Sequence, residues 1–291
     1  MGAIGLVGTA AKVVRPLADA VRTAETIAHD GGQIDILPGD PAATARLREL
    51  LGAPAPGPSE DALAVLAVTP STDLSKGAPA LAHRRRSGGG ALALIVGGGD
   101  AAKEVERRLL EGHRLEMSNI VHVPSLEGEG QQVAIDAILH ALGDEAVAAG
   151  RRNPGLRPAV GRHLVKEAAR QSAAVGALPL PGVDMPVLVL IQVRLVAQLA
   201  ALYDRPFGAE RALEALAILA AGFGWRAIGR SAAGFVPVAG WAVRGSLAYV
   251  ATRAIGEAAL ARLEAGHDLI EGAPIERLRP LIDRVTARFG R

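Results

Sequence analysis

Between residues 178 and 264 the chain is apolar for most of its length, yet proline, glycine or arginine always interrupts it before a clean span can form. Pro179, Pro181 and Gly182 punctuate its start, and Pro237 and Gly240 its middle. A membrane-crossing helix needs about 20 mostly apolar residues. The longest charge-free runs in this half, 171–183 and 231–243, have 13 residues each and contain Pro and Gly. A hairpin from 210 to 256 would also carry Arg226, Arg230, Arg244 and Arg253 into lipid. At roughly 2.5–3.5 kcal/mol per mid-membrane arginine, that costs around 10 kcal/mol. The stretch is therefore read as helices packed closely on one another, soluble or peripheral to a membrane. Frequent Gly and Ala permit the close approach. An integral membrane protein with helical hairpins is the competing expectation.

Composition narrows the core. Hydrophobic residues make up 49% of the 291 positions but aromatics only 3%, so Ala, Val, Leu and Ile must fill it. Such a length accommodates two domains. With no cysteine, disulfides, thiolate metal sites and cysteine nucleophiles are excluded. Charge is uneven: residues 1–150 hold 13 Lys and Arg against 19 Asp and Glu, a net −6, whereas 151–291 hold 19 against 11, a net +8. An acidic front and a basic back can face each other or an anionic surface, although two solvated faces explain the bias as well.

Apolar Ile4 and Leu6 precede Lys12 and Arg15, the reverse of a secretory signal, and Leu6 fails the hydroxyl position of a myristoylation motif. Residues 12–28 read as an amphipathic leading helix. Thereafter strand and helix alternate. Strands are expected at 33–37, 62–68, 91–96 and 119–123, and helices at 42–51, 101–113 and 131–142. Residues 53–59 form a Pro/Gly loop and 83–90 a polar connection. The apolar run at 62–68 suits a strand covered on both faces. This pitch predicts a small parallel sheet flanked by helices.

Two glycine loops invite a phosphate. Gly97, Gly99 and Ala102 fit G-x-G-x-x-A between a strand and a helix, where glycines admit a pyrophosphate. The next strand ends His122-Val123-Pro124-Ser125, with no acid to hold a ribose. Gly39 and Thr44 imitate part of a P-loop, but Ala43 stands where the phosphate lysine should be. Gly5, Gly8 and Lys12 make a shorter near miss.

In order, these pieces resemble a bacterial Era-like GTPase domain that has lost its working parts. Asp100 ends what would be Asn-Lys-x-Asp, with Gly97 and Gly98 replacing Asn and Lys. Residues 123–130, Val-Pro-Ser-Leu-Glu-Gly-Glu-Gly, resemble the later Ser-Ala-x-x-Gly-x-Gly loop. No Asp-x-x-Gly switch is present, and there is little room for the two switch strands. The resemblance implies a vestigial pocket of Gly39, Thr44, Asp100 and Ser125, with no cofactor and no hydrolysis; an unrelated parallel α/β domain explains the alternation too.

In the back half, helices are expected at 151–175, 187–202, 210–228 with a kink at Gly222 and Gly224, 242–264, and 274–289, with a rigid turn at 178–186. Leu178-Pro-Leu-Pro-Gly-Val-Asp-Met-Pro186, Ile191-Gln-Val-Arg194, Pro237-x-x-Gly240-Trp241 and Thr252-x-x-Ile-Gly256 resemble the YcjF-like, GTPase-associated domain of unknown function (domain of unknown function 697). Members of that family often follow a GTPase domain, and several are taken to be membrane-associated. The resemblance supplies a neighbourhood and no reaction.

Other chemistry fails on spacing. Histidines 29, 83, 113, 122, 140, 163 and 267 make no zinc-like pattern, so no metal is expected. Gly229 to Gly234 is too long for a nucleophile elbow, and Glu127 with Glu129 would both stay ionised in water. Arg84, Arg85 and Arg86 lack interleaved aromatics, so nucleic acid is not expected as a partner. The chain is read as a leading helix (1–30), a degenerate GTPase-like α/β domain (31–148) and a YcjF-like helical domain (151–291). The expected role is a non-enzymatic, cytoplasmic interaction protein, able to sit peripherally at the inner membrane and to bind a protein partner or itself. A weak guanine-nucleotide-binding regulator using Asp100 and Ser125 is the alternative from another class.

Overall fold

The structure, a computed structural model, describes residues 19–24, 26, 28, 31–52, 61–178, 184–205, 207 and 240–269, with backbone alone for 184–186 and 240–243. The loop expected at 53–59, the helices at 210–228 and 274–289, most of 12–28, residues 179–183 of the turn and 237–239 of the Pro-Gly-Trp motif lie outside these. Two compact units emerge: residues 29–160, and residues 1–28 together with 161–291.

The first unit runs β1 (Ile34–Ile36), α1 (Pro41–Leu51), β2 (Leu63–Val68), α2 (Gly77–Arg86), β3 (Ala91–Val96), α3 (Asp100–His113), β4 (Ile120–Val123), α4 (Gly128–Leu142) and α5 (Ala146–Arg152). All four strands are parallel and lie in the order β1-β2-β3-β4, with Ile34 beside Leu63, Ala64 beside Ala91 and Ala93 beside Ile120. The expected class, a small parallel sheet with flanking helices followed by a helical region, is what the chain adopts.

Alternation along each strand sends neighbours to opposite faces. Ala64, Leu66, Val68, Ala93 and Ile95 pack with Ala78 and Leu81 of α2 and with Ala102, Val105 and Leu109 of α3. On that face Asp35 meets Arg84 of α2 at 3.6 Å. The opposite face takes α1, which packs on β2, and α4, which packs on β3 and β4; their buried Leu47, Leu51, Ala134 and Ile138 stay outside the first cluster. Gly32, just before β1, lies so close to Ala148 and Ala149 of α5 that a side chain there would overlap them.

The strands step in one direction, yet α1 crosses on one face while α2 and α3 cross on the other. The first crossover therefore has the opposite hand from the next two, in a class of connection that is right-handed about 98% of the time.

Helix α2 departs from the reading of 83–90 as a polar connection. His83 to Arg86 form its last turns, and only 87–90 leave the helix. Its periodicity is weak because Gly77, Ala78, Leu81 and Ala82 give a narrow buried side, while Pro79 is tolerated within the first turn.

The second unit contains α6 (Arg157–Ala177), α7 (Asp184–Leu202) and α8 (Gly240–Glu264). Its core joins Val165 and Ala168 to Val193, Leu195, Val196 and Leu199, and to Ile255, Ala259 and Leu263. Val21 and Ala24, in the helical segment 19–24, belong to the same cluster. Small residues set the spacing: Gly176 lies against Ala248 and the Arg244 carbonyl, Gly245 against the Ala173 carbonyl, and Gly256 against Val165 and Leu195.

Candidate functional site

Ligands of open parallel sheets sit beyond the carboxyl ends of the strands, where the strand order reverses. Gly39, Thr44, Asp100 and Ser125 all follow strand ends, so the fold puts them along one rim. The order β1 to β4 never reverses, but α1 and α2 leave the neighbouring strands β1 and β2 on opposite faces, so the loops after those two strands diverge at this rim.

Each rim residue has a local job. Gly39 runs against β2, and a side chain there would overlap the Ala67 carbonyl. Asp40 caps α1: its Oδ1 accepts from the Ala43 amide at 2.9 Å, and its Oδ2 from the Thr69 hydroxyl at 3.0 Å. One of the amides that would cradle a phosphate, that of Ala43, thus already faces a carboxylate. Thr44 is 6% exposed, and its hydroxyl is shut off from solvent without a partner among the described residues. Asp100, almost fully exposed, pairs with Lys103 at 3.0 Å. Ser125 spends its hydroxyl on its own turn, donating to the Glu127 carbonyl at 3.0 Å and accepting from the Glu127 amide at 3.3 Å. Gly130 permits that turn, since a side chain would overlap Ser125.

Sequence reasoning missed the loop after β2. Thr69 Oγ1 lies 3.1 Å from both Ser71 Oγ and Thr72 Oγ1, and the Thr69 amide donates to Thr72 at 2.7 Å. Asp73 accepts from the Ser75 amide at 3.0 Å and the Ser75 hydroxyl at 2.8 Å, which holds its carboxyl below the usual aspartate range. The legible signal was Thr-Pro-Ser-Thr-Asp directly after an apolar strand.

The rim as a whole is acidic. Asp40, Asp73, Asp100, Glu127 and Glu129 stand on or beside these loops, against Arg46, Lys76, Lys103 and Arg108, whose charge reaches Asp73. Arg46 is tied to Glu49 at 2.6 Å, which pushes its pKa up, and Lys103 is tied to Asp100. Elsewhere His122 meets Glu106 at 2.7 Å, but among the described residues no group of three or more metal-capable side chains forms.

In the helical unit, two motif pieces meet. Gln192 Nε2 donates to Thr252 Oγ1 at 3.2 Å, and Thr252 Oγ1 donates to Ser172 Oγ at 2.9 Å. Thr252 and Ser172 are fully buried. The seam links three helices through residues 60 and 80 positions apart. Gly256 of the same motif fits between Val165 and Leu195. These residues read as packing determinants, since buried hydroxyls must find partners and a chain of three satisfies them together. Arg194 is exposed.

Residues 153–271 match the family model for a domain of unknown function, DUF697. Those residues include α6, α7 and α8 and the Gln192–Thr252–Ser172 seam. No curated protein and no solved structure matches the chain. Among the described residues, no helix is long and apolar enough to cross a membrane.

Proposed function

We propose that the chain is a non-enzymatic interaction protein, in which a degenerate GTPase-like α/β unit precedes a helical unit that binds a protein partner or a membrane face. The observation that carries the reading is Asp40: its carboxylate occupies the α1 N-terminus, where a nucleotide phosphate would have to sit. An anion brought there meets a fixed negative charge about one hydrogen bond away.

The hand of the first crossover supports descent from a larger sheet. A right-handed exit through α1 leads to the far side of β1, away from β2. Loss of strands there, and of the helix that returned from them, leaves the chain stepping straight to β2 with α1 on the wrong face. Switch strands following the first helix of a GTPase domain are the elements whose loss this topology fits.

Titrating the purified chain with GTP and GDP in magnesium by calorimetry tests the first half of the reading. No saturable heat is expected; micromolar binding would replace it with the nucleotide-regulator reading. Cross-linking in cells followed by identification of the attached chains tests the second half, and recovery of a reproducible protein or lipid neighbour is the expected result.

A further inference from the structure

At the end of the α/β unit opposite the rim, α2 and α3 finish side by side around a shallow, open depression of about 210 Å³ lined by Pro79, Ala82, Arg86, Gly112, His113 and Arg114, of which Arg86, Gly112 and Arg114 are exposed. Of the three consecutive arginines in the sequence, Arg84 pairs with Asp35 and Arg85 with Glu116. Arg86 is the one left at the depression. The side chains of Arg86, His113 and Arg114 have no hydrogen-bond or ion-pair partner among the described residues. Nearby acids are engaged elsewhere, Glu116 by Arg85 and Glu111 by Arg107 at 2.8 Å.

Two backbone features add to the charge. Gly112 lies inside α3 with open space where a side chain would go, so packing does not require a glycine. It is one of the residues that line the depression. Arg114 has φ 55, a left-handed conformation costly for any residue with a side chain, directly after the helix.

We propose that this depression binds a small molecule through one or two phosphate groups, held by Arg86 and Arg114 with His113 beside them. Size limits the ligand: an open depression of about 210 Å³ is below the roughly 300–1,000 Å³ of pockets that enclose drug-sized ligands, so it contacts one small group with the remainder of the molecule in solvent. Charge agrees. The two helix C-termini contribute about half a negative charge each, which two arginines outweigh. Guanidinium groups bind phosphate oxygens through paired donors. The site is separate from the strand-end rim and does not rest on the reading of the rim.

Inorganic phosphate and pyrophosphate, titrated into the full chain at constant ionic strength and followed by amide chemical shifts and calorimetry, test the proposal. Saturable binding is expected, with the largest shifts at Gly112, His113 and Arg114. The double variant Arg86→Ala, Arg114→Gly should weaken pyrophosphate binding roughly a hundredfold, about tenfold for each guanidinium removed; glycine at 114 relieves the backbone, so loss of binding is not loss of fold. Gly112→Leu, which fills the depression and keeps every charge, should also abolish it, whereas Arg48→Ala on α1 should change nothing. Absence of saturable binding to the wild type, equal affinity in the double variant, unaltered binding by Gly112→Leu, or equal weakening by Arg48→Ala would each overturn the proposal.

Discussion

The two units solve the same problem, a core almost without aromatics, in different ways. The α/β unit fills its sheet with aliphatic side chains: Leu66, Leu94 and Ile95 are completely buried, and helices cover them from both faces. The helical unit brings backbones together at Gly176, Gly245 and Gly256 and then runs a polar seam through the interface. The first core depends on volume, the second on absence of volume and on hydrogen bonds that must all be made. Substitutions that one unit absorbs should therefore injure the other.

The largest expected effect is in the sheet. Leu94→Ala should cost about 2–5 kcal/mol, since the strand is covered on both faces and the cavity has no route to collapse. Urea unfolding with a probe in the α/β unit measures it; a loss under about 1 kcal/mol would show that volume is not what holds this core. In the helical unit the reverse change is the damaging one. Gly256→Ala puts a methyl within 3 Å of Val165 and Leu195 and should destabilise that unit by about 1–3 kcal/mol, although alanine is the better helix former. Stabilisation would mean the helices have room to part.

The seam gives the next effect. Thr252→Val keeps the shape and leaves Gln192 and Ser172 without their shared partner, at a cost of about 1–3 kcal/mol. Thr252→Ser should recover most of it, and equal losses for the two variants would separate stability from the hydrogen bonds. Asp40→Ala removes the cap on α1, at about 1 kcal/mol; thermal denaturation reads this. The same variant strips the rim of its blocking carboxylate, so any gain in phosphate affinity there, seen by calorimetry, sharpens the contrast between a capped and an open helix end.

The smallest effect concerns acid. Because Ser75 depresses the Asp73 pKa, through its amide first and its hydroxyl second, the contribution is present above the ordinary aspartate range and is lost as pH falls through the depressed value. Asp73→Asn should lower stability slightly at neutral pH, where the wild type holds the contribution, and converge with the wild type at low pH, so the acid side of the curve is a little flatter. A variant with the wild-type acid profile would refute that assignment.

Much of the α/β unit is legible residue by residue. The strand at 91–96 is expected at its observed bounds and the others within a residue or two, because apolar runs of strand length between helical periods leave few options. Helix α2 is not legible. Its apolar side is narrow, and its arginine-rich end looks like solvated chain until Asp35 and Glu116 are seen to hold two of the three guanidiniums. At the rim, the glycines and hydroxyls are visible but their duties are not, since Gly39 answers to a carbonyl on β2 and Ser125 to its own turn.

From sequence alone followed the succession of elements, the aliphatic character of the core, and the likeness of the back half to a family, all of which depend on local periods and fixed spacings. Tertiary structure decided what lies beside what: the strand order and its odd first crossover, the packing of Val21 and Ala24 with helices more than a hundred residues later, and the meeting of Gln192, Thr252 and Ser172. The physical reason is that a residue's period reports which way it faces, whereas its partner is chosen by the whole chain's competition to bury area and satisfy every donor.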